Sequence, residues 1–400
     1  MQRPRSQDPT LDMLAAALLA SEGRKQTEIA ATLGLSQAAV SRHLAEAREH
    51  YLREQVYFLE DNVPPEVMQR VQQRVSREQL QKGLDLLAQR HEYSRHVTLR
   101  VFNTGPSSDD AERIRKLGEH AASHIKRLVL RSRLCGLTWG GMLRSVVTGL
   151  RNLHTRAPWR KDEVIECIPL SGEPLGKDPT SFSSSSLAHE LGSAVNGDAY
   201  DALSIAMVPA FVPERFPRSE INGVWHLIEL VESYHRIFGP HQNGRPKPLK
   251  AKAEPPLARC LDMILTSVGS ADKPLGFGRG ILFNTMSVSL EELKTLIVGE
   301  IGGVCIPRPT LHNNQARRFD SVRRCWTGLR LEHLITCAER GADPSNEAPG
   351  VVVVSGGKKR AGVICELVKL GLINHLVIDD VLAEELERDG AWRTKPDSVG

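Results

Sequence analysis

Residues 350–380 read GVVVVSGGKKRAGVICELVKLGLINHLVIDD. Four consecutive valines lack the alternation of a half-exposed strand, so the run predicts a strand buried on both faces. Ser355-Gly356-Gly357 closes it. From Lys358 to Leu370 the apolar residues recur at helical spacing, and Gly371 suits the positive φ of a helix C-terminus. His375 to Asp379 then returns as a second strand. Strand, helix and strand at this spacing make a βαβ unit, whose strands run parallel.

Outward from this unit the same alternation continues. Strands are predicted at 96–102, 134–138, 164–170, 204–208 and 261–268, and helices at 110–131, 142–150, 186–197, 227–238 and 290–298. Such alternation predicts an α/β fold with a doubly wound, mostly parallel, Rossmann-like sheet over 96–390. The stretch 239–256 is rich in Pro, Gly and Lys without apolar periodicity, which predicts a mobile insertion, and 299–314 predicts a hairpin or loop. Residues 391–400 read as a tail.

Ligands of doubly wound sheets sit beyond the carboxyl ends of the strands. Here those ends are Trp139-Gly140-Gly141-Met142, Ser171-Gly172-Glu173, Gly269 to Asp272, Gly356-Gly357 with Arg360, and Asp379. One glycine turn is only a folding requirement. Glycines, short polar groups and a few charges at all five ends suit a small polar ligand, often an anionic one. At 134–150 a strand, a glycine turn and a helix bring backbone N–H groups to a helix N-terminus, where anions bind.

The first 60 residues follow another plan. TEIAATLGLSQAAVSRHLAEAR, residues 27–48, reads as two helices joined by a tight turn. Ile29, Ala30 and Leu33 share one face, and Val40, Leu44 and Ala47 share another. Gly34 fits the end of the first helix and Ser36 the N-cap of the second. Residues 11–21 supply a third helix across the pair. This is a helix-turn-helix, and its outward residues Ser36, Gln37, Ala38, Ser41, Arg42 and His43 are types that read double-stranded DNA. A solvated helical hairpin is the plainer alternative. Between the two parts, 61–95 predicts a helical linker whose apolar stripe of Val71, Val75, Leu80, Leu84 and Leu87 either forms a dimer seam or caps the next domain.

Composition bounds these readings. The 400 residues are too many for one core, and 40% hydrophobic with 25% charged is ordinary for a globular chain. The net charge is only +4, and residues 1–60 hold seven Lys/Arg against eight Asp/Glu, so DNA affinity requires a local patch and more than one reading helix per assembly. The seven cysteines form no CxxC pair, which argues against zinc and against a disulfide framework. No cofactor is implied. Leu14 to Ala20 is short and lacks a cleavage pattern, and no apolar run approaches membrane-spanning length; the expected compartment is the cytoplasm.

The chain resembles the SorC-type sugar-binding transcriptional regulators, relatives of the deoxyribonucleoside and central-glycolysis repressors. The resemblance rests on EIAATLGLSQAAVSRHLAEAR, GLTWGGML, IPLSG, SVGSAD and the 350–380 string. It implies a non-enzymatic homodimer or homotetramer whose affinity for operator DNA is set by a sugar or sugar phosphate. The effector domain is then sugar-phosphate-isomerase-like, with its ligand at the five strand ends named above. Three positions depart from the family's pattern. Met142 stands where a hydroxyl is usual, Glu173 replaces a glycine, and Arg360 replaces a lysine. These changes leave an unphosphorylated sugar or polyol, or a DNA-binding scaffold with a degenerate pocket, as alternatives. An enzyme using Asp272, Glu173, His189 and Asp379 would not explain the helix-turn-helix.

Overall fold

The computed structural model describes residues 9–53, 57–58, 62–64, 66–68, 70–71, 78–89, 95–105, 109–156, 163–173, 183–197, 200–212, 218–242, 245–247, 254–271 and 289–389. Helices α1 (Pro9–Ser21), α2 (Gln26–Leu33) and α3 (Gln37–Ala47) come first. Gly34 takes φ 69° at the end of α2, and the Ser36 hydroxyl accepts the Ala39 N–H at 3.2 Å to cap α3. Ile29, Leu33, Val40, Leu44 and Ala47 are buried with α1 in a core of their own, which extends to Val63, Met68 and Val71.

Helix α4 (Glu78–Gln89) buries Leu80, Leu84 and Leu87 in the core of the following α/β unit. That face is therefore covered within the chain, while Val71 belongs to the N-terminal core. Val75 lies outside the described residues.

The α/β unit runs β1 (Thr98–Phe102), α5 (Asp110–Leu130), β2 (Leu134–Leu137), α6 (Gly141–Arg156), β3 (Glu166–Pro169), α7 (Ser184–Asn196), α8 (Arg218–Glu229), α9 (Glu232–Phe238), β4 (Met263–Thr266) and β5 (Val268–Ser270). It continues with α10 (Leu290–Leu296), β6 (Ile297–Ile301), β7 (Val304–Pro307), α11 (Asn313–Arg324), α12 (Leu331–Ala342), β8 (Gly350–Ser355), α13 (Ala361–Lys369), β9 (His375–Asp379) and α14 (Asp380–Asp389). Six strands form one sheet in the order β1-β9-β8-β4-β2-β3, all parallel. The valines of β8 are fully buried in the middle of it, as the unbroken apolar run requires. Burial pushes the Cys135 thiol up to about 12, so it stays protonated.

Several expected elements differ. Residues 204–208 make no strand. Glu173 donates its N–H to Val208 and accepts from Ala210, an isolated bridge that Pro209, lacking an N–H, cannot extend. The helix expected at 227–238 is two, broken at Leu230 and Val231. The strand expected at 261–268 divides between two sheets at Ser267. The helix expected at 290–298 stops at Leu296, where the β-branched pair Ile297-Val298 enters β6. β5, β6 and β7 form a separate antiparallel sheet in the order β7-β6-β5. Within 239–256, expected to be a mobile insertion, His241–Gln242 pairs with Arg245–Pro246, and His241 is buried 5.4 Å from the Tyr234 ring.

Candidate effector site

Strand order decides where a ligand can enter. From β2 the chain steps outward to β3, then crosses back to β4 and onward to β8 and β9, so the direction reverses between β2 and β4. The carboxyl ends of these two strands are the switch point at which such sheets bind ligands. Thr138 and Thr266 lie there, both fully buried, with the Thr138 hydroxyl donating to the Thr266 hydroxyl at 3.0 Å. The β6–β7 turn covers them. Gly302 has φ 57°, and a Cβ there would stand 2.5 Å from Thr138 Cγ2 and 2.7 Å from Thr266 Oγ1. Only glycine fits at this approach.

Just before the turn Glu300 is buried, and its carboxylate accepts the Gly303 N–H at 2.6 Å. Burial raises its pKa to about 7, against the opposing pull of that N–H and of the Arg360 charge. Sequence reasoning missed Glu300. Its signal was a single acid in the apolar run IVGEIGGVCI, where a charge has no reason to be unless it is paired or functional. Because the folded protein holds the proton more tightly than the unfolded chain, stability falls as pH rises from about 4.5 to 7. The shift from 4.5 to about 7 corresponds to about 3 kcal/mol. Glu300→Gln keeps an acceptor for Gly303 and removes the titration. Its melting temperature should pull ahead of the parent's progressively between pH 5 and 8; a constant difference would sink the assignment.

On one side of the switch point, Gly140 takes φ 115° and the half-buried Trp139 ring lies 5.7 Å from Trp326 and 6.5 Å from Phe211. Gly141 opens α6. Met142, placed at the site by its sequence position, instead packs into the core beside Leu143 and Val146, because its place on α6 points it under the helix. Further along, the buried Ser171 hydroxyl has no hydrogen-bond partner, and Gly172 has room for no side chain, with Val208 O 2.6 Å from its Cβ position. Glu173 is half-buried. Burial raises its pKa, the Ser185 and Ser183 hydroxyls oppose this, and its Oε1 is unpartnered.

On the other side, Gly269 sits within β5, paired to Glu300. Asp272 lies outside the described residues. Gly357, at φ 83°, donates its N–H to both Asp379 oxygens at 3.1 and 3.0 Å, and Leu382 N–H adds a third bond at 2.7 Å. Burial raises the Asp379 pKa, and these N–H groups counter it. A Cβ on Gly356 would stand 2.5 Å from Asp379 Oδ2. Arg360 donates Nε–H to Val268 O at 3.1 Å and an Nη1–H to Gly356 O. Its fork thus braces β5 against the Gly356 turn. The Ser355 hydroxyl, at the end of β8, is buried without a partner. Most of the predicted residues therefore share one edge of the sheet, but Met142 points away and Asp379 is committed to backbone.

This edge is tied to the N-terminal helices. Arg100 of β1 meets Glu22, just after α1, at 2.6 Å, with both side chains buried. Asn103 donates its N–H to Glu22 O at 2.7 Å and its amide to Glu28 at 3.1 Å, while its carbonyl accepts from His120. The next residue, Thr104, donates N–H and O–H to Asp380, the neighbour of Asp379.

No protein-family model and no curated protein matches the chain by sequence. Solved structures do match by shape. The full-length sorbitol operon regulator SorC from Klebsiella pneumoniae overlays with a TM-score of 0.51 at 18% identity, covering 95% of this chain and 99% of that one. The chain has the SorC-regulator fold. A DeoR family transcriptional regulator from Listeria monocytogenes (TM-score 0.48, 18% identity, 77% of this chain and 98% of that) is also similar. So is a transcriptional regulator from Streptococcus pneumoniae (0.48, 15%, 79% and 100%). At 95% of this chain, the SorC overlay includes N-terminal helices as well as the α/β unit. Among the described residues no helix is long and apolar enough to cross a membrane.

Proposed function

We propose that the chain is a DNA-binding transcriptional regulator, acting as a homodimer or homotetramer, whose operator affinity is set by a sugar, polyol or sugar phosphate at the carboxyl edge of the sheet. The observation that carries this reading is α3 itself. It buries Val40, Leu44 and Ala47 and leaves Gln37, Ala38, Ser41 and Arg42 exposed, with His43 half-buried among them. Such an exposed face suits the major groove. Residues 1–60 then read DNA, 61–95 link, and 96–390 sense the ligand.

The unpartnered hydroxyls of Ser171 and Ser355 and the oxygen of Glu173 support a hydroxyl-rich ligand, since buried polar atoms without partners are costly. A protonated Glu300 can donate to a sugar oxygen, and the backbone at Gly140-Gly141 can meet an anion. Arg360 acts by holding Gly356 and β5 in register and by lending its charge. The test is a thermal-shift screen of the full chain against sugars, polyols and their phosphates, each at increasing concentration. One compound should raise the melting temperature, by mass action on the folded state. Arg360→Ala should reduce that shift at least tenfold in concentration, and an unchanged response removes it from the site. If no compound shifts the chain, the effector reading fails and the scaffold alternative takes its place.

A further inference from the structure

A cavity of about 380 Å³ opens between the β6–β7 turn, Trp326 and the start of α12, and none of the strand-end residues named above lines it. Phe211, Val304 and Trp326 form its floor, the two rings 4.8 Å apart. Its mouth carries Arg323, Arg324 and Arg330 against the single carboxylate of Glu332. Arg323 pairs with Asp320 at 3.1 Å, whereas Arg324 has no ion-pair partner among the described residues and is exposed. The volume lies within the range of small-molecule sites, on the order of 300–1,000 Å³.

We propose that this cavity is a second ligand site, which takes a small aromatic anion such as an aryl carboxylate or aryl phosphate. The floor offers aromatic and aliphatic surface, which suits an aromatic body and gives a sugar's hydroxyls little to bond. The mouth presents the exposed guanidinium of Arg324, a group that grips planar or tetrahedral anions through paired N–H donors. The floor also reaches the first site. Trp326 Cη2 lies 2.1 Å from the position a Cβ on Gly303 would take, and the Gly303 N–H holds Glu300. A ligand pressed on Trp326 therefore bears on the turn that covers Thr138 and Thr266.

The test uses the full chain and isothermal titration with phenyl phosphate and benzoate, with inorganic phosphate and glucose 6-phosphate as controls. Saturable binding of at least one aryl anion, ten times tighter than inorganic phosphate, is expected. Arg324→Glu, an exposed change that spares the fold, should weaken that binding at least tenfold. It should leave any sugar-induced thermal shift at its parental value, so this site and the sugar site stand or fall separately. No saturable aryl binding, equal binding of inorganic phosphate, or an Arg324→Glu variant that binds like the parent would each overturn the proposal.

Discussion

Arg100→Ala should lower the stability of the folded chain by about 3–5 kcal/mol, the cost of stranding one partner of a buried ion pair. The pair joins Arg100 Nη2 to Glu22 Oε1 at 2.6 Å, with the side chains 6% and 4% exposed. Alanine would leave the Glu22 carboxylate in the same dry setting, where Arg24 Nε, at 4.0 Å, stands beyond hydrogen-bond distance. The neighbouring histidine adds no charge. His124, adjacent on α5, stays neutral because burial first, and then the charges of Arg100, Arg127 and His375, hold its pKa well down. Urea unfolding of the two proteins measures the difference, and a loss below about 1 kcal/mol would show that the pair is not desolvated. The double variant Glu22→Leu with Arg100→Met buries no charge, so it should lose far less than Arg100→Ala. It also isolates the coupling. With the pair gone but the fold intact, operator binding and sugar binding should both persist while the sugar's effect on operator affinity shrinks.

What the sequence showed and hid follows from how far apart the partners lie. The β8 strand, the Gly34 turn and the Ser36 cap were legible because each depends on residues within a few positions. The parallel sheet followed from the alternation of such local units. The Glu22–Arg100 pair joins residues 78 positions apart, and no periodicity announces it. The β5–β6–β7 sheet was hidden likewise, since Val268–Ser270 reads as the tail of a buried strand until Ile297–Ile301 comes to pair with it. At the candidate site, position at a strand end places a residue near the edge but does not give the direction of its side chain. Met142 turns into the core with its helix, and Asp379 spends its oxygens on Gly357 and Leu382. Glu300 stood in plain view in an apolar run; burial, not pattern, makes it a candidate.

Arg42→Ala should weaken sequence-specific DNA binding by roughly 30-fold or more while leaving the fold and the sugar response as they were. Arg42 is exposed on α3, whose buried residues are Val40, Leu44 and Ala47, so the stability change should stay within about 0.5 kcal/mol. Its side chain stands one turn in from the capped N-terminus of α3, the part of a recognition helix that meets base edges. One bidentate contact to guanine discriminates by about 1–3 kcal/mol. A symmetric dimer presents the helix twice, so the loss at a palindromic site is about 2–6 kcal/mol, or roughly 30-fold to 10⁴-fold in affinity. The site is first enriched from a random duplex pool with the parent protein, and both proteins are then titrated against it at one salt concentration. Arg42→Lys separates reading from mere charge. It retains the positive charge but not the paired donors, so it should bind unrelated DNA like the parent and the enriched site nearly as poorly as alanine. Should lysine restore the enriched site fully, Arg42 is touching phosphate, and the base reading passes to Gln37 and Ser41. If alanine itself binds the site like the parent, α3 is not the reading helix.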